Sequence, residues 1–194
     1  HAVLVNSYAL NLAGIDFNTK DPHGGAINRD SNGNPNGLLV DKATLLVEKL
    51  IPKKTLKQDK EALEIAIAES LRLGWTQLHD AGSPYADFEI LEEIKLEGNL
   101  NLRIQFYVSD GPDALKMLEE GTIIDPQYFL SARGIKLYAD GAIGSRGAAF
   151  LEKYHDYDTS GFLIFEKEKT MPKLIEALKK GIQIETHAIG DKGN

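Results

Sequence analysis

The sequence predicts an α/β fold built around a parallel sheet or barrel, with a loop-rich insertion ahead of it. Three observations predict this. From Leu56 onward, four helix-type stretches are each followed by a strand-type stretch; glycines stand where the helical periodicity stops; and residues 1–40 carry turn clusters in place of that alternation. Successive helix–strand units favour parallel pairing, because a strand parallel to its predecessor needs a crossover long enough to hold a helix.

Residues 1–55 are expected to form the insertion or subdomain. Asp21-Pro22-His23-Gly24-Gly25 and Asn32-Gly33-Asn34-Pro35-Asn36-Gly37 are turn clusters beside the short apolar runs Ala26-Ile27 and Leu38-Leu39-Val40, which predicts a small hairpin. Helices are expected near Asn6–Ala13 and Lys42–Leu50. Residues 56–194 are expected to be part of the barrel. Lys60–Leu73 places Leu63, Ile67, Ser70 and Leu71 on one helical face and stops at Gly74, and Thr76–Asp80 follows as a strand. Asp87–Leu96 is the second helix, with Leu102–Val108 as its strand. Asp113–Glu120 is the third, followed by Gly134–Ala139. Thr170 is the expected cap of the fourth, with Pro172 in its first turn, Leu174, Ile175 and Leu178 inward, and Ile182–His187 as the last strand.

Composition removes several function classes. With 22 basic against 29 acidic residues, a net charge of -7 and no long basic run, nucleic acid is not an expected partner. The absence of cysteine excludes disulfides, thiolate metal sites and cysteine nucleophiles, so any metal must be held by nitrogen and oxygen. No apolar run approaches the ~20 residues of a membrane span and no signal peptide is evident, so no membrane partner and a cytoplasmic location are expected. At 194 residues the chain is shorter than the ~250 typical of a complete (β/α)8 barrel, and it is expected to be an internal piece of one.

Lys136 lies inside the otherwise apolar strand Ile-Lys-Leu-Tyr-Ala. A lysine facing a barrel interior is costly unless its charge is removed or paired. Two chemistries exploit that cost, carbamylation to an anionic metal ligand and Schiff-base formation; a lysine that merely extends its amine to solvent is the structural alternative. His187 ends the next strand, Gln-Ile-Glu-Thr-His, where an imidazole at the barrel mouth can ligate a divalent metal or simply be hydrogen-bonded. Neighbouring strands are ~4.8 Å apart, so Lys136 and His187 could serve one metal site. His79 closes an earlier strand and either borders the same mouth or hydrogen-bonds Asp80. Arg146, in a Gly/Ser-rich loop, could clamp a carboxylate. Gly141, Gly144 and Gly147 do not form a dinucleotide fingerprint, and His23 and His155 are expected to be exposed.

The blocks His1-Ala2-Val3-Leu4-Val5-Asn6-Ser7-Tyr8-Ala9-Leu10, Asn28-Arg29-Asp30 with Gly37-Leu38-Leu39, Leu78-His79-Asp80-Ala81-Gly82, Gly134-Ile135-Lys136-Leu137-Tyr138-Ala139-Asp140-Gly141 with Gly144-Ser145-Arg146, and Thr186-His187-Ala188-Ile189-Gly190-Asp191 together resemble amidohydrolase family 3, in its branch of exoenzyme-type and N-substituted formamide deformylase-like hydrolases. The resemblance is collinear along nearly the whole chain. It implies a partial (β/α)8 TIM-type barrel, the intact protein adding a small β-sandwich. One or two divalent metals, zinc being the expected ion, would activate water against a C–N bond of a small amide-type substrate. It also implies Lys136 as the lysine that can be carbamylated, His187 as the metal-binding histidine of the next strand, and His1 and Asn6 as candidate substrate contacts. The family's His-x-His pair, a later strand histidine and the last-strand aspartate that serves as general base have no counterpart here. The chain by itself is therefore expected to be inactive, with an unmodified Lys136 and its sheet edges covered by further protein or by a homo-oligomer. Two rival readings remain: a Schiff-base lyase that uses Lys136, and a non-catalytic binding domain.

Overall fold

The computed structural model describes residues 1–194 and contains two compact units. One comprises His1–Pro52, Tyr138–Lys169 and His187–Asn194; the other comprises Lys53–Leu137 and Thr170–Thr186.

The first unit holds strand β1 (Ala2–Leu4), helix α1 (Ser7–Ala13), strands β2 (Gly25–Arg29) and β3 (Pro35–Asp41), a single 3-10 turn at Lys42–Thr44 and helix α2 (Leu45–Glu48). The expected hairpin is present as the antiparallel pair β2/β3, and β1 adds on the other side of β3 to make a three-stranded sheet in the order β1-β3-β2. Asn6 caps α1 by accepting from Ala9 N (2.9 Å), and Gly14, at φ 68°, closes the helix. Leu10, Ile15, Ile27, Leu39, Ala43 and Val47 form the core of this unit. The β1 strand was not expected, because three residues beside a helix cap carry too little alternation to be read as a strand.

The second unit begins with helix α3 (Leu56–Arg72), which starts earlier than its apolar periodicity because Thr55 and Gln58 form a reciprocal capping box. Strand β4 (Gln77–Ser83), helix α4 (Tyr85–Leu96), strand β5 (Arg103–Ser109), helix α5 (Pro112–Glu120), a two-residue strand β6 (Ile123–Ile124) and strand β7 (Leu130–Tyr138) follow. Helix α6 (Lys167–Lys179) and strand β8 (Gln183–His187) complete the series. β4, β5 and β7 pair in parallel in that order, and β8 pairs with β7. Gln183 lies against Gly134, Glu185 against Lys136 and His187 bonds Ala139, so β8 also runs parallel to β7. The fold is therefore mixed α/β on a parallel sheet, with β6 as a short antiparallel addition beside the start of β7. Phe88, Leu91, Ile94, Leu102, Phe106 and Met117 are fully enclosed between helices and sheet. Each such side chain contributes about 1.5–3 kcal/mol relative to exposure.

Helix α6 departs from expectation in two respects. It begins at Lys167 rather than after a cap at Thr170, since Lys167, Glu168 and Lys169 are good helix formers and Pro172 is accommodated inside the helix. Its inward face is Thr170, Leu174 and Ala177, at spacings of four and three, whereas Ile175 and Leu178 are 47% and 69% exposed.

A one-residue bulge sets the faces of β7. Phe106 pairs with Ala132 but Tyr107 pairs with Gly134, which leaves Arg133 as the extra residue. Before it, Leu130 and Ala132 face the helices; after it, Ile135 and Leu137 do. The parity has reversed, and Lys136 is turned onto the face without helices.

Candidate functional site

In the parallel-sheet unit, the Lys136 side chain is 11% exposed and its Nζ lies 3.7 Å from Glu185 Oε1 on β8. Ser109 is its register partner on β5. From β4, Gly82 comes so close that a Cβ there would stand 2.9 Å from Lys136 Cγ, and its φ of +112° also disfavours a side chain. The lysine stem is thus packed along backbone that has been stripped of side chain to receive it. Along β8, Ile182 and Ile184 pack against the helix-side core, so Glu185 and His187 share the other parity.

His79 sits opposite Gln105, whereas Lys136 sits opposite Ser109, four residues further along β5. At ~3.3 Å per residue that places His79 roughly 13 Å up-strand of the lysine. His79 does not bond Asp80: its ring nitrogen lies 3.2 Å from Gln77 Nε2, and Asp80 takes the Ser83 hydroxyl at 2.8 Å. The alternation of the strand explains this, since consecutive side chains point to opposite faces and Asp80 follows Leu78 toward the helices. Burial there raises the Asp80 carboxyl above its ordinary range, with the Ser83 bond pulling the other way.

In the other unit, the His187 ring lies 4.7 Å from the His1 ring and 5.5 Å from that of Tyr138. His187 Nε2 is 3.1 Å from the Gly141 carbonyl oxygen and 4.0 Å from Asp140 Oδ1. His1 Nδ1 is 2.6 Å from Asp41 Oδ1. Two aspartates that the sequence reading did not single out organise this unit. Asp140 is fully buried; its Oδ2 accepts from Ala149 N (2.8 Å) and Gly190 N (2.7 Å) and its Oδ1 from Ile189 N (2.9 Å), tying the segment after β7 to the segment after β8. Asp41 ends β3 with a side chain only 3% exposed and with its Oδ2 lacking a hydrogen-bond partner. Burial pushes the Asp41 carboxyl up to about 6, with Asp140 adding to the rise and His187 opposing it. The available signal for both was an acid closing an otherwise apolar strand, at Leu38-Leu39-Val40-Asp41 and Leu137-Tyr138-Ala139-Asp140.

Two other candidates have local partners. Asn6 is occupied as the α1 cap. Arg146, at φ 58°, donates to Asp156 Oδ2 (2.9 Å) and lies over the Tyr157 ring at 4.7 Å, and its guanidinium in turn holds the Asp156 carboxyl below its usual range. No group of three or more His, Asp or Glu side chains converges as a metal site within the chain. No helix is long and apolar enough to cross a membrane.

The model of the amidohydrolase family matches residues 1–193. The chain belongs to that family. A Bacillus subtilis (strain 168) protein named as an amidohydrolase, YtcJ, is 36% identical over 198 residues, which cover 98% of this chain and 37% of that protein. The N-substituted formamide deformylase of Arthrobacter pascens is 26% identical, with 98% of this chain and 37% of the enzyme covered. Among solved structures, a metal-dependent hydrolase from Pyrococcus horikoshii OT3 superposes with a TM-score of 0.70 at 26% identity, covering all of this chain and 38% of its own. A second, from Pyrococcus furiosus, gives 0.67 at 29% identity, with all of this chain and 39% of its own covered. This member of the amidohydrolase family therefore spans about two-fifths of the length of the relatives it matches.

Proposed function

We propose that the chain is part of the catalytic core of a hydrolase that cleaves an amide-type C–N bond in a small molecule, with Lys136 and His187 as ligands of one or two divalent metals, zinc being the expected ion. The observation that carries the proposal is the contact between His187 Nε2 and the Gly141 carbonyl. A carbonyl oxygen can only accept, so the bonded Nε2 carries the proton and the neutral ring keeps its lone pair on Nδ1. That is the form in which histidine ligates a metal, with its second nitrogen held by an oxygen.

Lys136 fits the same reading. It is shielded, on the face without helices, with Glu185 beside it. Carbamylation would put an anion next to that carboxylate, so the modified side chain is favoured only where a cation offsets the repulsion. In this reading the four parallel strands are one arc of a (β/α)8 barrel and the helix-free face is its interior. A divalent metal supplies Lewis acidity toward a carbonyl oxygen and acidifies water at neutral pH.

The test is hydrolysis of a panel of N-formyl and N-acyl amines by the full-length protein that contains this chain. Removal of metal by a chelator should abolish turnover and zinc should restore it, and Lys136→Ala and His187→Ala should each lower kcat by about a thousandfold or more. Turnover that survives both chelation and His187→Ala would overturn the proposal. Borohydride trapping of substrate on Lys136 would point to a lyase instead.

A further inference from the structure

Asp41 combines a strained backbone with an incompletely satisfied carboxyl. Its backbone stands at φ 45° and ψ −122°, a conformation suited to glycine, and its carboxyl is buried with one oxygen unpartnered. Space has been cleared for it: a Cβ on Gly141 would lie 2.4 Å from Asp41 Oδ2, and one on Gly147 would lie 2.2 Å from the same atom. The side chain that occupies this strained position spends its other oxygen on a single partner, Nδ1 of His1, at 2.6 Å. A carboxylate receives the proton of the ring, so Nδ1–H donates and the lone pair of a neutral His1 is left on Nε2. The arrangement repeats that of His187, where the Gly141 carbonyl holds one ring nitrogen and leaves the other. Both imidazoles thus have the carboxylate- or carbonyl-backed form of a metal-ligating histidine.

The separation of the rings is compatible with a shared ion. With metal–nitrogen bonds of ~2.0–2.1 Å and a tetrahedral angle, two imidazoles on one divalent cation have centroids roughly 5 Å apart. His1 and His187 stand at 4.7 Å, tilted by 39°. We infer that His1 is a second imidazole donor to the divalent cation at His187, and that Asp41 is the positioning residue that holds His1 for it. This rests on the reading of His187 as a metal ligand.

The test is a titration of the full-length protein that contains this chain with Co2+, followed by visible absorption. Thermal melts are run in parallel. The expected result is that His187→Ala and His1→Ala each weaken Co2+ binding at least tenfold. Asp41→Gly, which suits the backbone at position 41, should weaken it by ~10–100-fold with the melting temperature unchanged or raised. Asp41→Asn, which keeps an acceptor oxygen, should fall between wild type and Asp41→Gly. If His187→Ala weakens binding and His1→Ala does not, the inference about His1 fails while the metal reading of His187 stands. If neither substitution changes the affinity, both fail. Asp41→Gly that lowers the melting temperature and leaves Co2+ affinity intact would make Asp41 a structural residue only. Should that variant not fold, Asp41→Asn and His1→Ala decide the matter by the same criteria.

Discussion

Replacing Asp140 should cost more stability than any surface substitution in the chain, and the size of the loss can be worked from its three hydrogen bonds. Oδ2 accepts from Ala149 N and Gly190 N, and Oδ1 from Ile189 N, with the carboxylate fully enclosed. Asp140→Asn keeps the shape but offers one acceptor oxygen. If the amide oxygen takes the place of Oδ2, two bonds survive without charge assistance and the amide NH2 meets Ile189 N–H donor to donor. Loss of charge assistance and one unmet donor together come to roughly 2–4 kcal/mol. Asp140→Ala removes all three bonds, at about 1.5–3 kcal/mol each for bonds to a charged group, and approaches the whole of a typical domain stability of ~5–15 kcal/mol. Guanidinium denaturation followed by circular dichroism measures the loss. A chain of this length should lose roughly 2–4 °C of Tm per kcal/mol. Amide exchange supplies a local readout, since Ala149, Ile189 and Gly190 should lose protection together. A loss under about 1 kcal/mol for Asp140→Ala, with those amides still protected, would refute the view that this carboxylate joins the two segments.

Two further substitutions test the surroundings of the sheet. Gly82→Ala should destabilise by roughly 2–4 kcal/mol through backbone strain at positive φ and a clash with the Lys136 stem, and Lys136→Ala in the same chain should recover only the clash; full recovery in denaturation experiments would mean that strain contributes nothing. Asp125 is held down to about 2 from 3.8 by the Lys95 ammonium, at 2.6 Å, and by the Phe129 and Gln127 amides. A folded-state value below the unfolded one means that this stabilisation is complete above pH ~4 and is lost as pH falls through about 2. The Tm gap between wild type and Lys95→Met should therefore be widest at pH 5 and close by pH 2, and a gap that is constant with pH would count against the pair.

The parts of the fold that could be read in the sequence are those in which local pattern and tertiary packing agree. The Leu63/Ile67 face of α3, the strand run at Leu102–Val108, and the glycines ending α3 and α4 are all of that kind. What escaped is what depends on partners distant in sequence. Thr55 begins α3 through a cap rather than through apolar spacing. Ile175 and Leu178 look inward on a helical wheel, but the face actually buried is that of Thr170, Leu174 and Ala177. At the candidate site, Lys136 and His187 stood out because a lysine inside an apolar strand and a strand-end histidine each break a local rule. Asp41 did not, because its importance lies in a strained backbone and in two glycines a hundred residues away, and neither leaves a mark on its neighbours in sequence.

The bulge at Arg133 carries a consequence for how the chain tolerates change. Arg133 is exposed, so its side chain could be exchanged for many others with little effect on packing. Nor is its presence as a residue needed to keep the faces. Were it deleted, Gly134 would follow Ala132 in strict alternation, and Ile135 and Leu137 would still face the helices with Lys136 on the other side, because the deletion removes the extra residue and the bulge together. The faces would reverse only if Arg133 stayed and were drawn into regular pairing, which would turn Ile135 and Leu137 away from the helices and drive Lys136 into the layer of Phe106 and Phe88. A position free in identity and dispensable in number marks where an alignment gap would leave the shielded amine of Lys136 on the same face.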